Sequence, residues 1–259
     1  MDFKIKYGKY GLITGASAGI GKEFAYILAE KGLDLILVAI REEKLKEISS
    51  ELSARFKIEC LTIKKDLTEL NSYKEVFELT KKYDIGLLVN NAGFGYYGRF
   101  INQNEEKLGA MIKLNVFTFA MLTKVFAEYF VKKERGGMIL VSSLAAFQPT
   151  AGMALYGATK GFELLLGEAF SEEIKGRNVD VTILCPGATV TEFQIAAEGV
   201  PHNGMDARKV AMCAVKNLGS KVISIPGVNN KIIGKLHRFL PRSVVRLATK
   251  MALSHYLRD

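Results

Sequence analysis

Short runs of almost uninterrupted apolar residues punctuate the chain, and between them apolar positions recur at helical spacing. The runs are "YGLIT" (10–14), "DLILVA" (34–39), "ECLTIK" (59–64), "IGLLVN" (85–90), "GMILVSS" (137–143), "VDVTILC" (179–185) and "KVISIPG" (221–227). Most lack the polar alternation of a half-exposed strand, so they read as parallel strands covered on both faces. Helical stretches lie between them, such as "EEKLKEISSELSARF" (42–56) and "NSYKEVFELTKKY" (71–83). Two longer ones, about 102–133 and 154–176, carry apolar residues on more than one face. A helix apolar all round needs cover on all sides, so these predict a homodimer or homotetramer. Strand and helix alternating at this spacing predict βαβ units with right-handed crossovers. The expected fold is α/β: a doubly wound parallel sheet of about seven strands, helices on both faces, and C-terminal helices. With no linker, repeat or low-complexity segment, residues 1–259 read as one domain.

In such sheets a ligand sits beyond the carboxyl ends of the strands, where the strand order reverses. "TGASAGIG" (14–21) falls at such a place, directly after the first strand and opening the helix "IGKEFAYILAEKG". Gly15 can make the tight turn, Gly19 lets a phosphate approach the backbone, and Gly21 lets the helix pack close to the strand. Helix N–H groups then face an anion. The spacing G-x-x-x-G-x-G lacks the lysine of a triphosphate-binding loop, so a dinucleotide pyrophosphate fits it better. The second strand ends Ala39-Ile40-Arg41 with no acid before Glu42. An acid there would bind a free ribose 2′-hydroxyl and an arginine a 2′-phosphate, so the pattern favours NADP, with NAD as the alternative.

With "NNAG" (90–93), Asn115, "VSS" (141–143), "YGATK" (156–160) and "PGATVT" (186–191) following in order, the sequence resembles the single-domain short-chain dehydrogenases/reductases over nearly its whole length. The resemblance implies a Rossmann-like fold and a catalytic set of Asn115, Ser143, Tyr156 and Lys160. Ser143 would hydrogen-bond the substrate oxygen, Lys160 would hold the nicotinamide ribose, and Asn115 would position water in a proton relay. The implied cofactor contacts are Gly15, Ser17, Gly19, Ile20 and Gly21 in the turn, Arg41, and Asp66 beside the adenine with Leu67 next to it. Asn91, Ala92 and Gly93 would follow the ribose and phosphates. Tyr156, Lys160, Pro186, Gly187, Thr189 and Thr191 complete the set, Thr191 on the carboxamide.

Residue chemistry reaches the same pair independently. A carbonyl that accepts hydride also needs a proton, and a tyrosine gives one readily only when its pKa falls below the ordinary value near 10. Lys160 lies one helical turn from Tyr156 on the same face, where its ammonium, together with the oxidised nicotinamide, favours the phenolate. Tyr129 and Lys133 have the same spacing but precede the "VSS" strand, and 13 residues before Tyr129, where the family resemblance implies a serine, stands Val116. Adjacent strand residues point to opposite faces, so only one of Ser142 and Ser143 faces the cofactor, and the serine–tyrosine spacing that the resemblance implies selects Ser143. Phe94, Tyr96, Leu144, Phe147, Met153 and Phe193 are the expected pocket walls, which implies a hydrophobic carbonyl or alcohol substrate. Two other readings stay open: an NAD-linked alcohol dehydrogenase on the same scaffold, and a catalytically silent dinucleotide-binding sensor or scaffold.

Charge alters the picture only at the C-terminal end. The formal net charge is +9, and residues 205–259 hold 11 Lys and Arg against two acids, so the whole excess falls there. "KIIGKLHRFL" and "RSVVRLATKMAL", separated by Pro241, make 229–259 a basic amphipathic region. It is a candidate for contact with an anionic membrane or an acidic carrier. No nucleic-acid partner is expected. The three cysteines are far apart and His202, His237 and His255 lack metal-ligand spacing, so neither a disulfide framework nor a metal site is expected. Without a signal peptide or a long apolar run, the expected location is the cytoplasm.

Overall fold

The structure is a computed structural model describing residues 3–193 and 203–257; His202 and residues 258–259 lie outside it. A short helix, α1 (Phe3–Tyr7), leads into β1 (Tyr10–Thr14), α2 (Gly19–Glu30), β2 (Asp34–Ala39), α3 (Glu42–Phe56) and β3 (Cys60–Lys64). Then come α4 (Ser72–Thr80), β4 (Ile85–Asn90), α5 (Glu105–Ile112), α6 (Phe119–Lys132), β5 (Gly136–Val141), α7 (Ala154–Glu173) and β6 (Val179–Leu184). The chain ends with β7 (Thr189–Val190), β8 (Met205–Asp206), α8 (Ala207–Asn217), β9 (Ile223–Ser224), α9 (Val228–Leu236) and α10 (Arg242–Ala252). Seven strands form a parallel sheet in the order β3-β2-β1-β4-β5-β6-β9, and β7 and β8 pair separately.

Strand periodicity explains the apolar runs. Ile13, Leu35, Leu37, Leu87, Val89, Ile139 and Val141 face one side, packing with Phe24 and Leu28 of α2, Leu45 and Ile48 of α3, and Val210 and Ala214 of α8. Leu12, Ile36, Val38, Leu88, Met138 and Leu140 face the other, against Val76 of α4, Phe119, Phe126 and Phe130 of α6, and Leu164 of α7. Both faces are dry, so both sets of alternate positions are hydrophobic.

Three elements differ from the sequence-based expectation. The final strand shortens to two residues, because Ile223 and Ser224 alone pair with β6. The stretch expected to run from 102 to 133 starts at Glu105, where the Asn104 side chain caps the Lys107 N–H at 3.0 Å. A π-helical turn, Lys113–Thr118, then interrupts it. Such a turn inserts an extra residue into the helix and is common at functional sites; this one carries Asn115. The order reverses between β1 and β4, and the site opens above their carboxyl ends.

Candidate active site

The turn after β1 is fastened from both sides. Asn91 at the end of β4 donates to the Thr14 carbonyl at 2.9 Å, and its backbone N–H donates to the Thr14 hydroxyl at 2.9 Å. Gly15 adopts φ 65°, and a side chain there would lie 2.8 Å from Asn91 Nδ2. A Cβ on Gly21 would sit 2.2 Å from the Gly15 carbonyl oxygen, so the close contact of α2 with the turn excludes any side chain. Ala18 at the N-cap has no side chain to bond the first N–H groups of α2, which leaves them for an anion.

A cleft of about 1170 Å³ runs from this turn across the sheet. It gathers Gly15, Ser17, Gly19, Ile20, Arg41, Asp66, Leu67, Asn91, Ala92, Gly93, Ser143, Tyr156, Lys160, Pro186, Gly187, Thr189 and Thr191. Asn115, fully buried, lies behind that wall. Its carboxamide oxygen accepts from Phe94 N–H at 3.2 Å, while Nδ2 donates to the Phe94 carbonyl at 2.9 Å and to Thr159 Oγ1 at 3.1 Å. These side-chain bonds tie the loop after β4 to α7.

Several positions fit a dinucleotide. Arg41 stands at the mouth, its Nε 3.2 Å from Ser17 Oγ and its guanidinium 2.5 Å from Glu192. Arg41 holds the Glu192 carboxyl below the usual range, and Lys44 and Lys22 add to the effect. Neither Glu192 nor these lysines was picked out by the sequence reading. Asp66 accepts from the N–H and hydroxyl of Thr68 at 2.8 and 2.7 Å, which fixes its orientation at the wall of the cleft. The uncapped helix end, the glycine turn, the cation at the second strand and the length of the cleft together suit a pyrophosphate-bridged dinucleotide.

At the other end stand the chemical groups. Ser142 and Ser143 both border the cleft, but the buried Ser142 hydroxyl donates to the Lys160 carbonyl at 2.8 Å, so Ser143 is the serine whose hydroxyl is left for a ligand. Ser143 Oγ also accepts from Ala145 N–H at 3.1 Å. Burial pushes the Tyr156 phenol above its ordinary pKa, a hydrogen bond with Ser143 works against that, and the charge of Glu163 adds to the rise. The expected lowering by Lys160 is absent. Lys160 Nζ lies 5.8 Å from the Tyr156 ring centroid and is paired instead with Glu163 at 2.8 Å, so its charge is already matched. The other Tyr–Lys pair lies elsewhere: Tyr129 donates to the Tyr83 carbonyl at 3.1 Å, and Lys133 bonds Tyr129 and Asp84.

Of the expected walls, Phe94, Leu144, Met153 and Phe193 line the cleft. Tyr96 and Phe147 do not. Tyr96 packs under Lys107, and Phe147 lies against His237 with ring centroids 5.5 Å apart. Their places are taken by Tyr97 and, from the far end of the chain, Thr249, Ala252, Leu253 and Tyr256. Tyr97 and Tyr256 stack at 4.2 Å. The basic C-terminal helix thus closes the substrate end, a contact that local sequence pattern does not encode. Cys185 is buried and unpaired at the end of β6.

Comparison with known proteins agrees with this geometry. A family model described as short chain dehydrogenase matches residues 9–199. The chain is similar to the 7beta-hydroxysteroid dehydrogenase of Mediterraneibacter gnavus, 32% identical over 238 residues that cover 89% of this chain and 90% of that protein. A solved 7beta-hydroxysteroid dehydrogenase superposes with a TM-score of 0.89 at 27% identity, covering 96% of this chain and 99% of that one. A short-chain dehydrogenase from Sphingobium yanoikuyae in complex with NADPH superposes with a TM-score of 0.81 at 28% identity, covering 96% of each chain.

Proposed function

The chain belongs to the short-chain dehydrogenase/reductase family, and from that premise we propose that it interconverts a bulky hydrophobic ketone and its secondary alcohol, using NADP in preference to NAD. The observation that carries the substrate class is the apolar chamber over Tyr156 and Ser143. Its walls are Phe94, Leu144, Met153 and Phe193, closed by Leu253 and Tyr256. Such walls favour a rigid ring system, and likeness to hydroxysteroid dehydrogenases supports a steroid-like one.

When bound, the nicotinamide supplies or accepts the hydride. The first-turn N–H groups of α2 would hold the pyrophosphate, and Arg41 and Ser17 would bind the 2′-phosphate. Ser143 orients the substrate oxygen by a hydrogen bond, and Tyr156 gives that oxygen a proton in reduction or takes one in oxidation. The aromatic walls keep water from the reacting carbon. A panel of steroid-like, aryl and linear acyl ketones, followed by NADPH oxidation, tests this reading. Turnover concentrated on ring ketones is expected; activity confined to linear or small carbonyls would overturn the substrate class. Dinucleotide binding without turnover on any member would favour a sensor.

The same reading gives the C-terminal surface a role. On α10, Val244, Leu247 and Met251 are exposed on one face, Arg242, Arg246 and Lys250 lie on another, and Thr249 and Ala252 reach the cleft. Phe239, in the link before α10, is 82% exposed. Apolar tips flanked by cations suit the surface of an anionic bilayer, each cation adding up to about 1 kcal/mol. A cytoplasmic protein docked in this way would draw a lipophilic substrate from the membrane. Co-sedimentation with anionic vesicles should fall with salt and disappear when Lys231, Lys235, Arg242 and Arg246 become Gln. Absence of binding at low salt, or preference for an acidic soluble protein over vesicles, would sink the idea.

A further inference from the structure

The chemistry above needs Lys160 but leaves its closest neighbour without a role. Glu163, three residues along α7, is fully buried. Its two oxygens accept from Lys160 Nζ at 2.9 and 2.8 Å, and the Val141 carbonyl of β5 accepts from the same nitrogen at 3.1 Å. A lysine ammonium has three N–H donors. The carboxylate and the Val141 carbonyl both draw on these donors and compete with any ligand in the cleft that Lys160 lines. A buried carboxylate is costly unless it is paired. The pair therefore holds each partner in place, and Lys160 cannot leave without leaving a bare buried charge behind.

We propose that Glu163 is a positioning residue that holds Lys160 back from the cleft until the dinucleotide binds, and that takes up a proton from solvent when the lysine turns to the cofactor. The exchange balances. Lys160 keeps its charge and its three protons, one solvent proton bonds to a Glu163 oxygen, and the buried carboxyl becomes neutral. The lysine's positive charge and the carboxylate's negative charge cease to cancel, and the charge that raises the Tyr156 pKa is removed.

The surroundings support such an exchange. Lys160 is the cation facing Glu163; Tyr156 on α7 and Cys185 at the end of β6 are the other titratable groups around it, and Glu168 adds negative charge near Cys185. Even with Lys160 alongside, burial brings the Glu163 carboxyl up to about 7. Separation from the lysine raises it further, so the carboxyl then binds a proton in neutral and mildly alkaline solution.

The inference rests on the dinucleotide-binding reading, and calorimetry separates the two. NADPH is titrated into the full chain in buffers of different ionisation heat, at about pH 6 and about pH 8, which counts protons taken up per ligand bound. Uptake should approach about one proton near pH 8 and fall towards zero near pH 6, where Glu163 is already protonated. In Glu163→Gln the uptake near pH 8 should be lost, and the parent-minus-variant difference cancels protons carried by the dinucleotide's phosphates. The parent's dissociation constant should weaken by up to about tenfold per pH unit above neutrality, while the variant's stays flat. Retained NADPH binding with no uptake near pH 8, or equal uptake in parent and variant, overturns the role of Glu163. Failure of the parent to bind NADPH would instead overturn the dinucleotide premise. Should Glu163→Gln not fold, the parent's count near pH 8, where a phosphate monoester of pKa about 6 is already ionised, still decides: no uptake there overturns the role.

Discussion

Two residues carry the sharpest consequences. Tyr156 is buried beneath Phe193, with ring centroids 5.6 Å apart, so removing its hydroxyl leaves the ring packing intact. Tyr156→Phe should therefore lower turnover by about 10²–10⁴-fold while the dinucleotide dissociation constant barely changes. Equal losses in both would mean that the ring, not the proton, matters. Because the phenol is raised above its ordinary pKa, the protonated form needed for reduction persists to high pH. Oxidation needs the phenolate, so its rate should climb through that alkaline limb; with Glu163 neutral once the dinucleotide is bound, Glu163→Gln should leave the limb of the saturated enzyme in place. Arg41 makes the second case. Its bond to Glu192 is partly exposed, and a ligand phosphate has to compete with that carboxylate. Glu192→Gln should tighten NADPH by about 0.2–1 kcal/mol and leave NADH unchanged, as read from paired titrations. An identical gain for both dinucleotides would remove Arg41 from the 2′-phosphate.

At the scale of elements, the site depends on how closely α2 approaches the end of β1. Gly21→Ala would drive a methyl group to 2.2 Å from a backbone oxygen, which a side-chain rotation cannot relieve. The turn must shift, at a cost of about 1–3 kcal/mol in stability, and dinucleotide affinity should drop more than tenfold. Thermal melting and titration with NADPH check both; an unchanged affinity would mean that the turn does not cradle the phosphates. The π-helical turn works in the opposite sense. It brings Asn115 inward to bond Phe94 and Thr159, and so fixes the loop above β4 against α7.

For the whole molecule, assembly is the open expectation, and α7 gives it an address. Its inner face carries Tyr156, Lys160, Glu163 and Leu164, while Phe162 and Leu165 on the outer side are 37% and 68% exposed. Ile112 at the end of α5 is 45% exposed. A dimer or tetramer that buries this face would hold α7, and with it Tyr156 and Lys160, from outside. Sedimentation at micromolar concentration should show an oligomer, and Leu165→Lys should shift it toward monomer. A parent protein that sediments as a monomer would contradict this.

Local pattern was enough for the sheet, for the glycine turn and for placing Tyr156 and Lys160 on one face of α7, because each depends on residues within a few positions of one another. Strand runs follow from burial on both faces, the turn from glycine stereochemistry, and the pair from helical periodicity. The serine spacing that selected Ser143 agrees with a structure in which Ser142 is spent on the Lys160 carbonyl. What needed the tertiary structure lies between distant segments or in desolvation. Glu192 meets Arg41 across 151 positions, and Leu253 and Tyr256 return to a cleft built mainly from the first two hundred residues. Tyr96 and Phe147 turn away from that cleft because neighbouring side chains claim them. Glu163 stands at ordinary ion-pair spacing from Lys160 in the sequence, where an exposed pair would be unremarkable. Only packing against β5 and β6 takes water from that carboxylate and ties its charge to the lysine, because desolvation is a property of the assembled core and not of the local chain.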